Sequence, residues 1–253
     1  MADNHESPVA IVFGGAGGIG SCICRNLAQS GFRIIVGYNR SGENARNLAN
    51  SLPGAGHSAH LGPVTDTPAL ADLAAAVARD YGRCDALVNC AGTTRFVQHS
   101  DLDGLDDELI NNILATNVRG AFATVRAFRP LLEKSPLPGG GVVVNLSSAA
   151  GNIAIGSNVM YCASKAALDN MTKSLARALS PKIRVVSVSP ALVDTEFVKS
   201  LDQAWHDQQA ARTPMGRLAT PEEVAATVGA VITTITFTTG SIIAIDGGRT
   251  LCS

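Results

Sequence analysis

Aromatic residues are scarce in this 253-residue chain, at 4% of the total with one tryptophan, Trp205. Charge is scarce too. Charged residues amount to 16%, the formal net charge is -1, and no run of five or more basic residues occurs. That balance argues against nucleic acid or an anionic membrane surface as partner. No uninterrupted apolar run approaches the roughly 20 residues of a membrane-spanning helix. Residues 1–7 are polar and carry Asp3 and Glu6, so they read as a flexible tail and not as a signal or transit peptide. Cysteines number six, but Cys22 and Cys24 have no second pair and no adjacent histidine to complete a tetrahedron, so no metal site is expected. Scattered through apolar patterns, they read as free thiols of a reducing compartment. These absences leave a cytoplasmic protein that acts on a small molecule.

What is abundant is core-forming material, 46% of the chain. Apolar runs at 10–13, 33–37, 57–61, 85–89, 142–146, 184–188 and 241–245 alternate with helical patterns, without a composition break or repeat. The expectation is one domain spanning 1–253, a doubly wound α/β fold with a parallel seven-stranded sheet. Residues 106–133 read as one long helix carrying Asn117, and Ser189-Pro190 reads as the break ending the sixth strand. The stretch 191–220 lacks a strong period and reads as a lid over a substrate. Phe197, Leu201, Trp205 and Met215 would give it an apolar contribution. Thr220 is expected to cap a helix that has Pro221 at its first position.

Chemistry concentrates where strands end. The first strand runs into Gly14-Gly15-Ala16-Gly17-Gly18-Ile19-Gly20, and a helical pattern follows. A glycine turn there lets backbone N–H groups and a helix N-terminus approach a pyrophosphate. The second strand ends in Tyr38-Asn39-Arg40-Ser41, with no acidic residue for ribose hydroxyls, whereas Arg40 and Ser41 can both bind phosphate oxygens. NADP(H) is therefore favoured as cofactor, with NAD(H) left open. The fourth strand ends in Asn89-Cys90-Ala91-Gly92, small residues that suit close approach of a ligand, and the fifth in Ser147-Ser148. On the next helix Tyr161 and Lys165 are four apart, so phenol and ammonium face the same space. A neighbouring cation favours the phenolate and lowers a phenol pKa from its ordinary value of about 10, giving a proton donor and acceptor usable near neutrality.

The order and spacing of Gly14-x-x-x-Gly18-Ile19-Gly20, Asn89-Cys90-Ala91-Gly92, Asn117 within Asn-Val-Arg-Gly, Ser148 thirteen residues before Tyr161, Tyr161-x-x-x-Lys165, Ser189-Pro190 and Asp246-Gly247-Gly248 resemble the short-chain dehydrogenase/reductase family over nearly the whole chain. The resemblance implies a Rossmann-type fold with helices on both faces of the sheet, and four catalytic residues. Tyr161 would give a proton to a carbonyl oxygen as hydride arrives from the nicotinamide. Lys165 would lower the pKa of Tyr161 and hold the nicotinamide ribose. Ser148, with Ser147 as its rival, would hydrogen-bond the substrate oxygen, and Asn117 would keep a water linking Lys165 to solvent. Cofactor contacts are implied at Gly14, Gly18, Ile19 and Gly20 beside the pyrophosphate, at Asn39, Arg40 and Ser41 beside the ribose phosphate, and at the Val64 backbone beside adenine. Others are implied at Asn89, Ala91 and Gly92 near the adenosine ribose, at Tyr161 and Lys165, and at Pro190, Val193 and Thr195 for the carboxamide.

Within the family the chain is most similar to 3-oxoacyl-carrier-protein reductases and related carbonyl reductases, which implies NADPH-dependent reduction of a ketone and a homotetramer. The alternatives are a dehydrogenase oxidising a sugar, steroid or polyol, and a non-catalytic nucleotide-binding sensor or assembly subunit. Retention of Tyr161 and Lys165 speaks against the latter, and their spacing of four speaks against an enoyl reductase, a branch that spaces them more widely. Arg95 and Arg129 are candidates for meeting an acyl carrier protein. Four departures from the family pattern stand out. Phe13 replaces a threonine, Pro63 an adenine-touching aspartate and Ala191 a glycine, while Gly17 lacks the basic residue of many NADP-using members.

Overall fold

The computed structural model describes residues 7–199 and 202–251, apart from the side chains of Phe197 and Lys199. The expected tail therefore lies outside the described residues except for Ser7, as do Leu201 and Cys252. In chain order the first half contains β1 (Val9–Phe13), α1 (Gly18–Gln29), β2 (Arg33–Tyr38), α2 (Gly42–Ser51), β3 (Ser58–Leu61), α3 (Thr67–Tyr81) and β4 (Ala86–Asn89). There follow α4 (Asp107–Leu114), a π-helical turn (Ala115–Gly120), α5 (Ala121–Leu132), β5 (Gly141–Leu146), α6 (Ala150–Ile153), α7 (Val159–Leu179) and β6 (Ile183–Pro190). The chain continues through α8 (Glu196–Lys199), α9 (Gln203–Ala211), α10 (Pro221–Thr233) and β7 (Ile242–Ile245).

The seven strands pair in the order β3-β2-β1-β4-β5-β6-β7, every pair parallel. Side chains on a strand point alternately to its two faces, so β1 feeds two cores. Val9, Ile11 and Phe13 pack with Leu70 and Val77 of α3 and Phe128 and Leu132 of α5. Ala10 and Val12 pack with Ile23 and Leu27 of α1 and Val224 and Val228 of α10. All five residues of β1 are fully buried, each valine or isoleucine among them contributing about 1.5–3 kcal/mol. Phe13 meets Phe128 edge-on at 5.8 Å between centroids. Its ring occupies space left by two glycines, since a Cβ on Gly37 would come within 3.2 Å of it and one on Gly62 within 3.1 Å. The phenylalanine is thus a packed core residue in its own right.

Two boundaries differ from the sequence-based reading. The helix expected at 106–133 is interrupted by the π-helical turn, so α4 and α5 are separate helices on one path. β6 does not break at Ser189-Pro190, because Ser189 pairs with Ala244 and Pro190 with Ile245. A proline lacks a donor, but here it is the last residue of the strand, beyond the last pairing of β5 at Leu146.

Between β6 and α10 the chain forms the short helices α8 and α9. No described side chain of α9 is buried, and the helix is tied down at its ends. His206 Nε2 lies 3.4 Å from Asp194 Oδ1, and Arg249 donates to the Gln209 carbonyl at 2.9 Å and to its side-chain oxygen at 2.8 Å. The helix α10 starts as read from the sequence, with Thr220 and Glu223 forming a reciprocal capping box.

Candidate active site

β1 and β4 are neighbours, yet the chain winds outward from them in opposite directions, which opens a crevice beyond their carboxyl ends. Two cavities fill it. One of about 510 Å³ is lined by Gly14, Tyr38, Arg40, Ser41, Val64 and Ala91 among others. The second, of about 290 Å³, is lined by Ile19, Ser148, Tyr161, Lys165, Val193 and Thr195 among others. Cys90, Gly92 and Thr93 line both and join them into one cleft.

The glycine turn is built for close approach. Gly14 has φ +77°, its N–H donates to the Gly37 carbonyl at 3.0 Å, and a Cβ there would lie 2.8 Å from the Ala91 nitrogen. A Cβ on Gly20 would collide with the Gly14 carbonyl oxygen. Helix α1 has no side-chain cap at Gly17 and no acid in its first turn, so its N-terminal N–H groups and dipole face the cleft uncompensated. A pyrophosphate fits that surface, and no Asp or Glu lines the wider cavity.

Tyr161 stands on the first turn of α7. The side chain of Asn158 caps this helix by accepting the Tyr161 N–H at 2.7 Å, and its amide donates to the Arg95 carbonyl at 2.8 Å. The cap thereby fixes the helix start against the loop after β4. The phenol and the Ser148 hydroxyl line the same cavity. Ser147 lines the cavity as well, but its Oγ donates to the Lys165 carbonyl at 3.4 Å. The two rival serines thus differ in that the Ser147 hydroxyl is spent on the backbone of α7 while that of Ser148 keeps its proton free. Lys165 is 6% exposed and donates to the Leu146 carbonyl at 2.7 Å. Its ammonium lies 5.6 Å from the centre of the Tyr161 ring.

This arrangement departs from the expected depression of the phenol by its cation. Burial pushes the Tyr161 phenol above its ordinary range, and the nearby Ser148 hydroxyl only partly opposes that. The ammonium faces the ring and the Leu146 carbonyl, while burial brings Lys165 down to about 8. Cys90 is pushed up to about 11 by burial, against the pull of Lys165.

Asn117 is built into the wall between the two cavities. Its side chain is 2% exposed: Oδ1 accepts the Thr93 N–H at 2.8 Å, and Nδ2 donates to the Thr93 carbonyl at 3.1 Å and to Ser164 Oγ at 3.1 Å. Both amide protons are used, so the side chain clamps the loop that joins the two cavities. Asn89 does not reach the cleft, because it is 4% exposed and bonded to Asn145, Thr124 and the Ala121 carbonyl. Gly18 and Gly20 do not line either cavity, although Gly18 faces the Thr195 side chain across 3.5 Å from where its Cβ would be.

The remaining sequence-predicted residues converge, with Ile19, Gly92, Ser148, Tyr161, Lys165, Pro190, Val193 and Thr195 on one cavity and Gly14, Asn39, Arg40, Ser41, Val64 and Ala91 on the other. Ala191 lines the first without a positive φ, so the glycine usual there is not required by the backbone. Trp205 and Met215 line neither cavity, and Phe197 and Leu201 fall outside the described side chains. Arg95 is paired with Asp106 and the Gly104 carbonyl, and Arg129 with Glu133, so neither is a free cation awaiting a partner. Thr93, Thr94, Asn112 and Thr116 line the cleft without having been singled out. Their signal was available. Thr93 and Thr94 directly follow Gly92, and Asn112 and Thr116 stand one helical turn apart just before Asn117.

Fold and site together define a dinucleotide-dependent oxidoreductase. A family model described as enoyl-(acyl carrier protein) reductase matches residues 14–250. The chain is 37% identical to the protein named for ketoacyl reductase 2 of the granaticin polyketide synthase from Streptomyces violaceoruber, with 98% of each chain covered. It is 34% identical to cis-4-hydroxycyclohexanecarboxylate dehydrogenase from Sinomonas cyclohexanicum, with 99% of each covered. A crystal structure described as a short-chain dehydrogenase/reductase from Burkholderia xenovorans superposes with a TM-score of 0.89 at 31% identity, covering 97% of this chain and 99% of that one. The 3-ketoacyl-(acyl-carrier-protein) reductase from Brucella melitensis, complexed with NADH, gives 0.86 at 25% identity over 97% and 99%. The chain belongs to the short-chain dehydrogenase/reductase family and is an NAD(P)-dependent oxidoreductase. No helix among the described residues is long and apolar enough to cross a membrane.

Proposed function

We propose that the protein reduces a ketone, such as a 3-oxoacyl compound, to the alcohol with NADPH. The observation that carries this reading is the convergence of Tyr161, Ser148 and buried Lys165 on one cavity, which opens onto the wider nucleotide-side cavity. Bound NADPH supplies a hydride to the carbonyl carbon. The Ser148 hydroxyl donates to the carbonyl oxygen, and Tyr161 releases its proton there as negative charge develops. A phenol held above its ordinary range stays protonated at neutral pH, which suits the donating direction. Lys165, as an ammonium, stabilises the phenolate that Tyr161 leaves behind. Asn117 serves by holding Thr93, and Pro190, Val193 and Thr195 wall the nicotinamide end.

Arg40 and Ser41 carry the choice of NADPH, because they line the wider cavity where no acid competes for the ribose. Enoyl reduction, named in the family model's description, is not our reading, because one helical turn separates Tyr161 from Lys165 and the relatives are named as ketoacyl reductases and dehydrogenases. The likeness to a cyclohexanecarboxylate dehydrogenase favours a second reading, the same chemistry run toward oxidation of a secondary alcohol. Phe122 on α5, Phe237 before β7 and Leu251 expose apolar surface that we assign to homotetramer contacts. Light scattering that gives a monomer removes that assignment.

The test is consumption of NADPH and NADH across ketones, 3-oxoacyl thioesters and, in reverse, secondary alcohols. The expected result is turnover of ketones with NADPH, lost by about 10²–10⁴-fold in Tyr161→Phe while NADPH binding is retained. Wild-type rates in that variant would overturn the mechanism.

A further inference from the structure

Asp194 stands between two residues that line the cleft, Val193 and Thr195, without lining it itself. The backbone of this segment is held from one side. Val193 pairs with Ala219 in an isolated parallel bridge, the Asp194 N–H donates to the Ala219 carbonyl at 2.8 Å, and the Ala219 N–H donates to the Leu192 carbonyl at 3.3 Å. These bonds lead directly into α10, whose Val224 and Val228 are core residues.

From the other side the segment is met through a side chain. Asp194 Oδ1 faces Nε2 of His206, in α9, at 3.4 Å. The His206 side chain is 25% exposed and that of Asp194 28%, so water screens the pair only in part. Oδ1 itself is buried and makes no hydrogen bond among the described residues, because the contact with Nε2 is long. A buried carboxylate oxygen without a donor costs free energy, and an imidazole with its proton on Nε2 relieves it after a small turn of the ring. The second ring nitrogen, Nδ1, is buried as well and lies 3.9 Å from Asp207 Oδ1, an oxygen that already accepts from Gln203 at 2.8 Å. Asp194 is therefore the carboxylate for which His206 is placed. The contact between Arg249 and Gln209 ties α9 to the C-terminal turn and not to the cleft.

We propose that His206 is a positioning residue of the cofactor site: by holding Asp194 it sets the wall formed by Val193 and Thr195, and so couples the seating of α9 to the nicotinamide end of the cleft. This inference rests on the assignment of Val193 and Thr195 to that end. A wall fixed from both sides has less freedom to lose when the nicotinamide settles against it, so the hold contributes to affinity without touching the cofactor.

The test compares His206→Ala, Asp194→Ala and the double variant with His206→Gln, whose side-chain amide keeps a donor near the place of Nε2. Hydrogen exchange in the ligand-free protein is expected to quicken at the Asp194 and Thr195 N–H groups by about fivefold in each alanine variant. The Kd for NADPH, read from its fluorescence, rises by about the same factor, while that for adenosine 2′,5′-bisphosphate, which reaches only the wider cavity, stays unchanged. The double variant loses no more than either single one, and His206→Gln stays near the wild type in every readout. Exchange at wild-type rates in both alanine variants overturns the proposal, as do equal losses of affinity for NADPH and the bisphosphate, or losses that add in the double variant. Because exchange needs no ligand, quickened exchange in a protein whose wild type binds neither NADPH nor NADH counts against the assigned cofactor and not against the hold of His206 on Asp194.

Discussion

Replacing Asn117 by alanine separates two ways in which this residue can matter. The side chain makes three hydrogen bonds, two of them to the backbone of half-buried Thr93 and the third to buried Ser164. Each bond contributes about 0.5–1.5 kcal/mol, and a donor or acceptor left buried without a partner costs more. The sum for Asn117→Ala is a destabilisation of about 2–4 kcal/mol. For a chain of this size that corresponds to roughly 5–15 °C in Tm. Because Thr93 lines both cavities, the same substitution loosens the bridge between them, so NADPH affinity and kcat fall together. Urea unfolding at fixed protein concentration gives the stability, and fluorescence titration with NADPH gives the affinity. Asn117→Asp keeps the acceptor for the Thr93 N–H but loses both donors, so it is expected to lose at least as much stability. An unchanged urea midpoint with lost turnover would refute the clamp and return Asn117 to a role in holding solvent.

Arg40→Ala is expected to raise the Kd for NADPH by about 10–100-fold, the worth of a charge-assisted phosphate contact, while leaving NADH binding unchanged in the same titration. Equal losses for both cofactors would remove Arg40 from the phosphate. Gly20→Ala drives a methyl group into the Gly14 carbonyl, so cofactor binding should collapse in calorimetry even where far-UV dichroism stays native. Wild-type affinity there would contradict the geometry of the turn. Carbonyl reduction should weaken as pH rises through about 8, where Lys165 loses its proton. Tyr161, pushed up by burial, remains protonated across that range. A rate that climbs through that window would reverse the assignment. Thr220→Ala removes one half of the capping box of α10 and should lower stability by about 1 kcal/mol in urea unfolding, with kcat unaffected.

Strand positions were legible because β1, β2, β4, β5 and β6 are buried along most of their length and read as apolar runs. The glycine turn and the Tyr161–Lys165 pair were legible because each obeys a local spacing rule. What escaped depends on contacts distant in sequence. The π-helical turn at Ala115–Gly120 leaves the apolar pattern of the surrounding helices almost unchanged, so Asn117 could be found but not its clamp on Thr93. Asn89 was misplaced because a polar residue at a strand end looks the same whether it faces a cofactor or a buried amide such as Asn145. Helix α9 was missed altogether, since a helix that buries no side chain writes no periodic stripe into the sequence. The pKa of Tyr161 was read from spacing alone, and spacing does not report how deeply a ring is buried.

The light anchoring of α9 has a consequence for how readily this part of the chain tolerates change. A segment held by the Asp194–His206 and Gln209–Arg249 contacts, with no stake in either core, can open locally at a small fraction of the global unfolding free energy. Its sequence can therefore be exchanged for that of another reductase at little cost to folding, so long as those anchor points are respected. The sheet, the glycine turn and α7 would carry over untouched, because α9 contributes no residue to either core.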